Sequence, residues 1–319
     1  MDFTKNIRMF SLLGQRGTYG TVLHSLAAED KRIFAISADL TRTSGLERFA
    51  ADYPERFLNV GIAEENMIGF AAGLADNGLI PFASTFSNFA SLRANEFVRH
   101  FLAYMNCNVK LIGLGSGFAM ELFGTTHYGL EDVAALRAMP NLTILSPADG
   151  LSVAKCVEFC GKEYGPVYLR LSGKANQPVV YRSDYTFLPG KGIVLKEGTD
   201  ALIYATGSMV HIALEAAKQL EQGFISAAVV DMHTLKPIDE DLIRERAGFP
   251  LILTVEEHSR IGGLGSAVAE VLAECGAHGK LVRFGTGDSY GKAGRYEYML
   301  AQHSLTIAAI VNAVQAEMK

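Results

Sequence analysis

Compact apolar runs alternate along this chain with longer stretches in which apolar residues recur at helical spacing. Residues 32–39, 57–60, 80–84, 109–113, 142–145 and 167–171 read as buried strands. Between them, residues 65–76, 94–104 and 150–160 carry the periodicity of helices. Strand alternating with helix predicts a mostly parallel sheet with helices on both faces. Ligands in such folds sit at the carboxyl ends of the strands, where Asp39, Gly61, Thr85 and Gly115 fall. Around residues 174–191 the pattern gives way to polar sequence bearing proline and glycine, and a second alternating unit follows. Its strands are predicted at 200–206, 226–231, 250–255 and 280–284, and its helices at 209–219, 266–275 and 306–318. The expected fold is α/β, with two consecutive domains of mostly parallel sheet at 1–175 and 191–319, joined by a linker at 176–190.

Length and composition agree with this division. A chain of 319 residues exceeds what one compact core ordinarily serves. With 49% apolar and 20% charged residues, its composition is that of an ordinary globular protein. A net charge of −5 gives no footprint for nucleic acid or an anionic membrane. No apolar run is long enough to span a bilayer, and the first residues lack the apolar stretch of a secretory signal, so a cytoplasmic location is expected. Cys107, Cys156, Cys160 and Cys275 show no Cys-x-x-Cys spacing. Cys156 and Cys160 lie four apart on a predicted helix and are expected to be buried thiols.

Candidate chemistry concentrates in two places. In Asn59-Val-Gly-Ile-Ala-Glu64-Glu-Asn66 a strand ends in a glycine turn and an acidic residue opens the next helix. A glutamate there is ordinarily just a carboxylate favoured by the helix dipole. A second strand, however, ends in Thr85-Phe-Ser-Asn-Phe89. A carboxylate beside an aromatic pocket suits a flat nitrogen heterocycle whose protons must be moved.

At this point the sequence resembles the pyrimidine-binding half of thiamine-diphosphate enzymes, and most closely the transketolase family. Ser37-Ala-Asp-Leu-Thr41 resembles the family's Ala-Asp-Leu motif, and Gly61-Ile-Ala-Glu64 its catalytic-glutamate motif. Thr85–Phe89 resembles its aromatic clamp, and Gly124-Thr-Thr-His127 its substrate-histidine loop. Residues 230–239 and 255–265 are similar to its last domain. The match runs nearly end to end, and its strength lies in five weak motifs appearing in order. It implies a pyrimidine-binding domain followed by a transketolase C-terminal domain, and transfer of a two-carbon ketol unit from a ketose to an aldose. It also implies thiamine diphosphate as cofactor, with Mg²⁺ whose ligands are expected on a partner. The Gly-Asp-Gly…Asn segment that holds diphosphate and metal in the family is absent here. The expected partner is therefore an N-terminal diphosphate-binding subunit in an α₂β₂ assembly, as in a split-gene transketolase.

The resemblance assigns residues as well. Glu64 would hydrogen-bond the pyrimidine ring nitrogen and drive its tautomerisation. Phe86 and Phe89 would flank the ring, with Leu92 in place of a third aromatic. Asp39, Leu40 and Ile62 would complete the cofactor surface. His127 is the second catalytic candidate. An isolated histidine is more often structural, and its place in Gly-Thr-Thr-His is what points to function. Arg16, Thr43, Phe123, His127 and Lys174 are the expected substrate contacts, with Arg16 matching an arginine that grips sugar phosphate. Three family groups differ. Gly115 stands where the family has an acceptor histidine, Phe123 where it has the aspartate that reads a sugar hydroxyl, and Gly173 where it has a second phosphate arginine, followed by Lys174. These departures imply an unusual sugar. His258 could approach the site from the C-terminal unit, but a packing or interface role is expected. Two alternatives stay open: a β subunit of a 2-oxoacid-decarboxylating or deoxyxylulose-phosphate-synthase-like enzyme, and a non-catalytic scaffold.

Overall fold

The computed structural model describes residues 3–318. Met1, Asp2 and Lys319, the outermost residues of the two expected domains, lie outside the described residues. The first sheet has seven strands: β1 (Ile33–Ser37), β2 (Phe57–Asn59), β3 (Ile80–Phe86), β4 (Lys110–Ser116), β5 (Thr143–Leu145), β6 (Val167–Ser172) and β10 (Thr234–Lys236). They lie in the order β10-β5-β6-β4-β3-β1-β2, all parallel except β10. The second sheet runs β12-β11-β8-β9-β7, comprising β7 (Ile193–Lys196), β8 (Ala201–Ala205), β9 (Ala227–Asp231), β11 (Leu251–Ser259) and β12 (Lys280–Thr286). Only β7 is antiparallel there. Two mostly parallel sheets were expected and are found.

Successive residues of a strand point to opposite faces, so a strand buried on both sides feeds two cores. Ala35, Phe82, Ile112, Leu169, Ile203, Val229 and Leu253 enter one apolar cluster. Their chain neighbours Ile36, Ala83, Leu111, Tyr168, Leu202, Ala228 and Ile252 enter the other. The first face is covered by α1 (Ile7–Glu29), α6 (Gly150–Lys162), α7 (Met209–Gln222) and α11 (Ile307–Glu317). The second carries α3 (Glu64–Asp76), α5 (Asp132–Arg137), α8 (Glu240–Glu245) and α9 (Leu264–Glu274). Shorter helices α2 (Glu47–Asp52), α4 (Asn95–Phe97) and α10 (Tyr296–Gln302) complete the set. The helix expected over 94–104 winds mostly as a π-helix, Val98–Tyr104, after α4. Cys156 and Cys160 are buried, as expected; Cys107 is buried as well, and Cys275 is exposed.

Two elements depart from the sequence expectation. Helix α1 was not anticipated, and it is interrupted at Gly14, which has φ 68°. A Cβ at that position would lie 2.6 Å from the Lys174 carbonyl oxygen, so only glycine lets α1 approach the segment after β6. Strand β10 comes from the C-terminal half of the chain yet extends the first sheet, pairing with β5. Lys236 Nζ caps this docking by donating to the Arg137 and Met139 carbonyls.

A buried polar junction ties the two halves together. Arg170 Nε donates to Asp132 Oδ2 at 2.9 Å, and Arg170 Nη2 donates to the carbonyls of Gly129 at 3.0 Å and Glu257 at 2.9 Å. Asp132 also accepts from Tyr168 Oη at 2.7 Å. Burial pushes the Asp132 carboxyl up, but Arg170 and the hydrogen bonds outweigh it and hold the group below its usual range. Glu257 accepts from Phe118 N at 2.6 Å, Ser208 Oγ at 2.5 Å and Tyr296 Oη at 2.6 Å. His258 Nδ1 donates to the Ser259 carbonyl at 2.7 Å, while Nε2 accepts from Ala134 N at 3.3 Å. Burial lowers its pKa to about 4, so it packs as a neutral ring, and the expected interface role is the one the structure gives it.

Candidate active site

The strand ends are shaped by side-chain hydrogen bonds to the backbone. Asn59 Oδ1 accepts from both Asp39 N and Gly61 N at 3.0 Å, and Asn59 Nδ2 donates to Asp39 Oδ1 at 3.3 Å. This clamp fixes the tips of β1 and β2 side by side, with Asp39 at φ 60°. Leu40 N is held by Ser37 Oγ at 2.9 Å. Asp39 and Ile62 are exposed, whereas Leu40 and Thr43 are half-buried.

Immediately beyond this clamp, Glu64 opens α3 with only 2% of its surface exposed. Its Oε2 pairs with Arg93 Nη1 at 2.8 Å, and its Oε1 accepts a long hydrogen bond from Thr85 Oγ1 at 3.5 Å. Thr85 and Phe86 end β3, and a π-helical turn, Phe89–Arg93, follows. The Phe86 and Phe89 ring centroids are 6.0 Å apart at 69°. His127 meets both rings edge-on, at 5.6 Å from Phe86 and 5.4 Å from Phe89. Phe123, 64% exposed, lies 5.2 Å from the same imidazole. The loop carrying both residues is anchored by Asn88 Nδ2, which donates to the Thr126 carbonyl at 2.7 Å. His127 Nδ1 is 3.0 Å from Thr126 Oγ1.

The structure therefore gathers the rings of Phe86, Phe89, Phe123 and His127 into one cluster, to which Glu64 is linked through Arg93. Arg16, Asp39, Leu40, Thr43, Ile62, Leu92 and Lys174 take no part in those ring contacts. Arg16 sits half-buried on α1, two residues past the Gly14 interruption, where burial lowers its pKa without discharging it. Leu92 is exposed beside Arg93. Lys174 is committed elsewhere: its ammonium lies 3.0 Å from both Glu121 and Glu297. It lines a cavity of about 360 Å³ with Gln177, Ser208, His211 and Tyr296. At Gly115, φ is 65° and a Cβ would meet Met120 Sδ at 2.6 Å, so a histidine here would need a strained backbone and a shift of the Met120 side chain.

Sequence reasoning missed Arg93 and Asn88. Arg93 places its guanidinium 4.0 Å from the Phe89 ring centroid while pairing with Glu64. Its spacing of four residues from Phe89 was the available signal. Chemically, the cluster offers a sequestered carboxylate, an aromatic wall and an imidazole, facing the carboxyl end of the sheet where α/β folds bind ligands. Among the described residues, no group of three or more metal-binding side chains converges, and no helix is long and apolar enough to cross a membrane.

Two mostly parallel α/β domains with a buried glutamate and paired phenylalanines at a strand tip define the class, and comparison with known proteins places it: the chain belongs to the transketolase family. Residues 14–177 match the transketolase pyrimidine binding domain and residues 190–310 the transketolase C-terminal domain. Within the family it is similar to chains that it covers almost completely. A putative transketolase C-terminal section from Methanocaldococcus jannaschii is 41% identical over 96% of both chains. A 6-deoxy-6-sulfo-D-fructose transketolase subunit, SqwH, from Clostridium sp. strain MSTE9 is 41% identical over 93% of this chain and 92% of its own. A solved split gene transketolase, described as an inactive beta4 tetramer, superposes with a TM-score of 0.85 at 43% identity, covering 95% of this chain and 97% of that one. This chain is thus a transferase subunit of transketolase type, corresponding to the enzyme's C-terminal section.

Proposed function

We propose that this subunit works with a separate N-terminal diphosphate-binding subunit in an α₂β₂ assembly, transferring a two-carbon ketol unit between sugars. The observation that carries the reading is Glu64, buried at the start of α3 and linked through Arg93 to Phe89, whose ring meets Phe86 and His127. The donor set fits one half of thiamine diphosphate. A carboxylate suits the nitrogen edge of its aminopyrimidine, and phenylalanine faces suit its plane. When bound, the cofactor supplies the thiazolium that stabilises a carbanion. Mg²⁺ and the diphosphate are assigned to the partner.

Glu64 holds a proton at a carboxyl oxygen, shared with a pyrimidine nitrogen, in a pocket dry enough to favour that sharing. Phe86 and Phe89 exclude water and fix the ring plane. Asp39, Leu40, Ile62 and Leu92 line the cofactor's remaining surface. His127, oriented by Thr126, donates to a substrate hydroxyl or oxyanion. Arg16 grips the sugar's anionic end, and Thr43 borders it. Phe123 presents an apolar edge to the sugar, where a carboxylate would have read a hydroxyl. That edge favours a sugar without the usual hydroxyl pattern or with an altered anionic head, in keeping with a relative named for a sulfonated ketose.

Calorimetry tests the division of labour. The purified chain should bind thiamine diphosphate negligibly with Mg²⁺, and the co-assembled partner should restore binding. Ketose cleavage by the complex should proceed without release of CO₂. Tight binding by this chain alone, or a requirement for a 2-oxoacid donor, overturns the reading.

A further inference from the structure

The contacts of Arg93 duplicate those assigned above to the cofactor's pyrimidine. One of its guanidinium nitrogens bonds Glu64 Oε2 at 2.8 Å, and its plane of charge stands 4.0 Å from the Phe89 ring centroid. A guanidinium is flat, delocalised and rich in N–H donors, as an aminopyrimidine edge is. Both groups would use the same carboxylate and the same aromatic face. The competition is also chemical. While Oε2 accepts from the guanidinium that oxygen is engaged, whereas the proposed role requires Glu64 to meet a ring nitrogen.

From this we infer that Arg93 is a placeholder for the pyrimidine: it fills the Glu64–Phe89 cleft in the free chain, and the incoming ring displaces it. The inference rests on the functional reading above and deepens it by naming the residue that sets cofactor affinity. Arg93 is built to leave. Its side chain is 42% exposed, against 3% for that of Glu64, so withdrawal returns the cation to water without opening the core. It stands at the last residue of the π-helical turn Phe89–Arg93, a winding found often at functional sites. The exposed Leu92 side chain adjoins it. The placeholder has a further use, because a buried carboxylate left without a partner would be costly in the free chain.

The test measures thiamine diphosphate affinity of the assembled complex by calorimetry at fixed Mg²⁺. Arg93→Met removes the competitor while keeping the stem's packing, and should tighten the dissociation constant roughly 3- to 30-fold, between the scales of exposed and charge-assisted contacts. In a Glu64→Gln background the same change should alter affinity less than about 2-fold, since the pair it breaks is already weakened. Arg93→Lys keeps the charge without the flat face and should fall between wild type and Arg93→Met. If Arg93→Met weakens binding or leaves it unchanged, Arg93 supports Glu64 rather than standing in for the ring, and the inference fails. A wild-type complex that binds no thiamine diphosphate fails the functional reading instead, so the two failures are distinguishable.

Discussion

Replacing Arg170 with methionine is the sharpest test of the buried junction. The change keeps an unbranched side chain of similar reach and removes every donor. Asp132 loses bonds of 2.9 and 3.2 Å, and the carbonyls of Gly129 and Glu257 lose theirs, in a place where both charged side chains are at most 2% exposed. Breaking a buried pair from one side costs about 3–5 kcal/mol, because the remaining charge has nowhere to go. For domains of this size that corresponds to roughly 6–20 °C in melting temperature. The deficit should depend on pH. His258 Nε2 lies 3.7 Å from Asp132 Oδ1, and its Nδ1 lies 3.7 Å from Glu256 Oε2. Burial and the Arg170 charge work against its protonation, while Asp132 and its backbone contacts favour it. Without Arg170 its pKa rises from about 4, so at pH 5 a protonated His258 can take over part of the pairing with Asp132. Thermal melts at pH 5 and 8 should therefore show the larger loss at pH 8. Adding Asp132→Asn should recover most of it, since removing both partners of a buried pair is often nearly neutral. A single-variant loss below about 2 °C, or a double variant worse than the single, would refute the assignment.

Three further outcomes follow from the same geometry. Glu64→Gln in the assembled complex should cut kcat by at least about 10²-fold while cofactor still binds, the scale of acid–base contributions; near-normal turnover would remove Glu64 from the mechanism. Phe123→Asp should raise kcat/KM for xylulose 5-phosphate with ribose 5-phosphate relative to the native substrate, since the present apolar edge costs a facing hydroxyl roughly 1–3 kcal/mol; a wild-type complex already efficient on that pair defeats the argument. Asp231 is fully buried, and burial raises its pKa to about 8, with one oxygen bonded by Tyr181 and the other without a partner. Its folded-state pKa lies above its unfolded one, so its contribution is present below about pH 4 and lost as pH rises through 8, at up to about 1.4 kcal/mol per pH unit. Asp231→Asn should flatten that decline in urea titrations between pH 5 and 8, and parallel curves for the two proteins would exclude Asp231 as its source.

Much of the fold could be read along the chain because its strands are buried on both faces. Ile33–Ser37, Ala201–Ala205 and Ala227–Asp231 are continuous apolar runs that need no partner to be recognised. Helix α1 was hidden by Gly14, Gly17 and Gly20, which look like breakers locally and are in fact close-contact points. Strand β10 is three residues long, and its pairing with β5 is decided by the other end of the molecule. Glu64, Phe86 and Phe89 were legible because each ends a strand or opens a helix at one edge of a single sheet, and His127, on a turn, because of its place in Gly-Thr-Thr-His. Arg93 was not, because an arginine on a helix is by default a solvated charge, and its bond to Glu64 spans 29 residues. The engagement of Lys174 by Glu121 and Glu297 was likewise invisible, since the three groups come from different parts of the chain.

Strand β10 also bears on how the molecule comes into being. While the chain is being synthesised, the first sheet can assemble only six of its strands, and the edge of β5 stays bare until residues 234–236 emerge. Such an edge offers unpaired N–H and C=O groups to any passing strand. Fragments ending between residues 177 and 190, where the two family matches part, should therefore associate or precipitate where the intact chain does not. The unit that is inherited and the unit that closes on itself have different borders here. A workable fragment of the first domain would have to carry the Thr234–Lys236 strand with it.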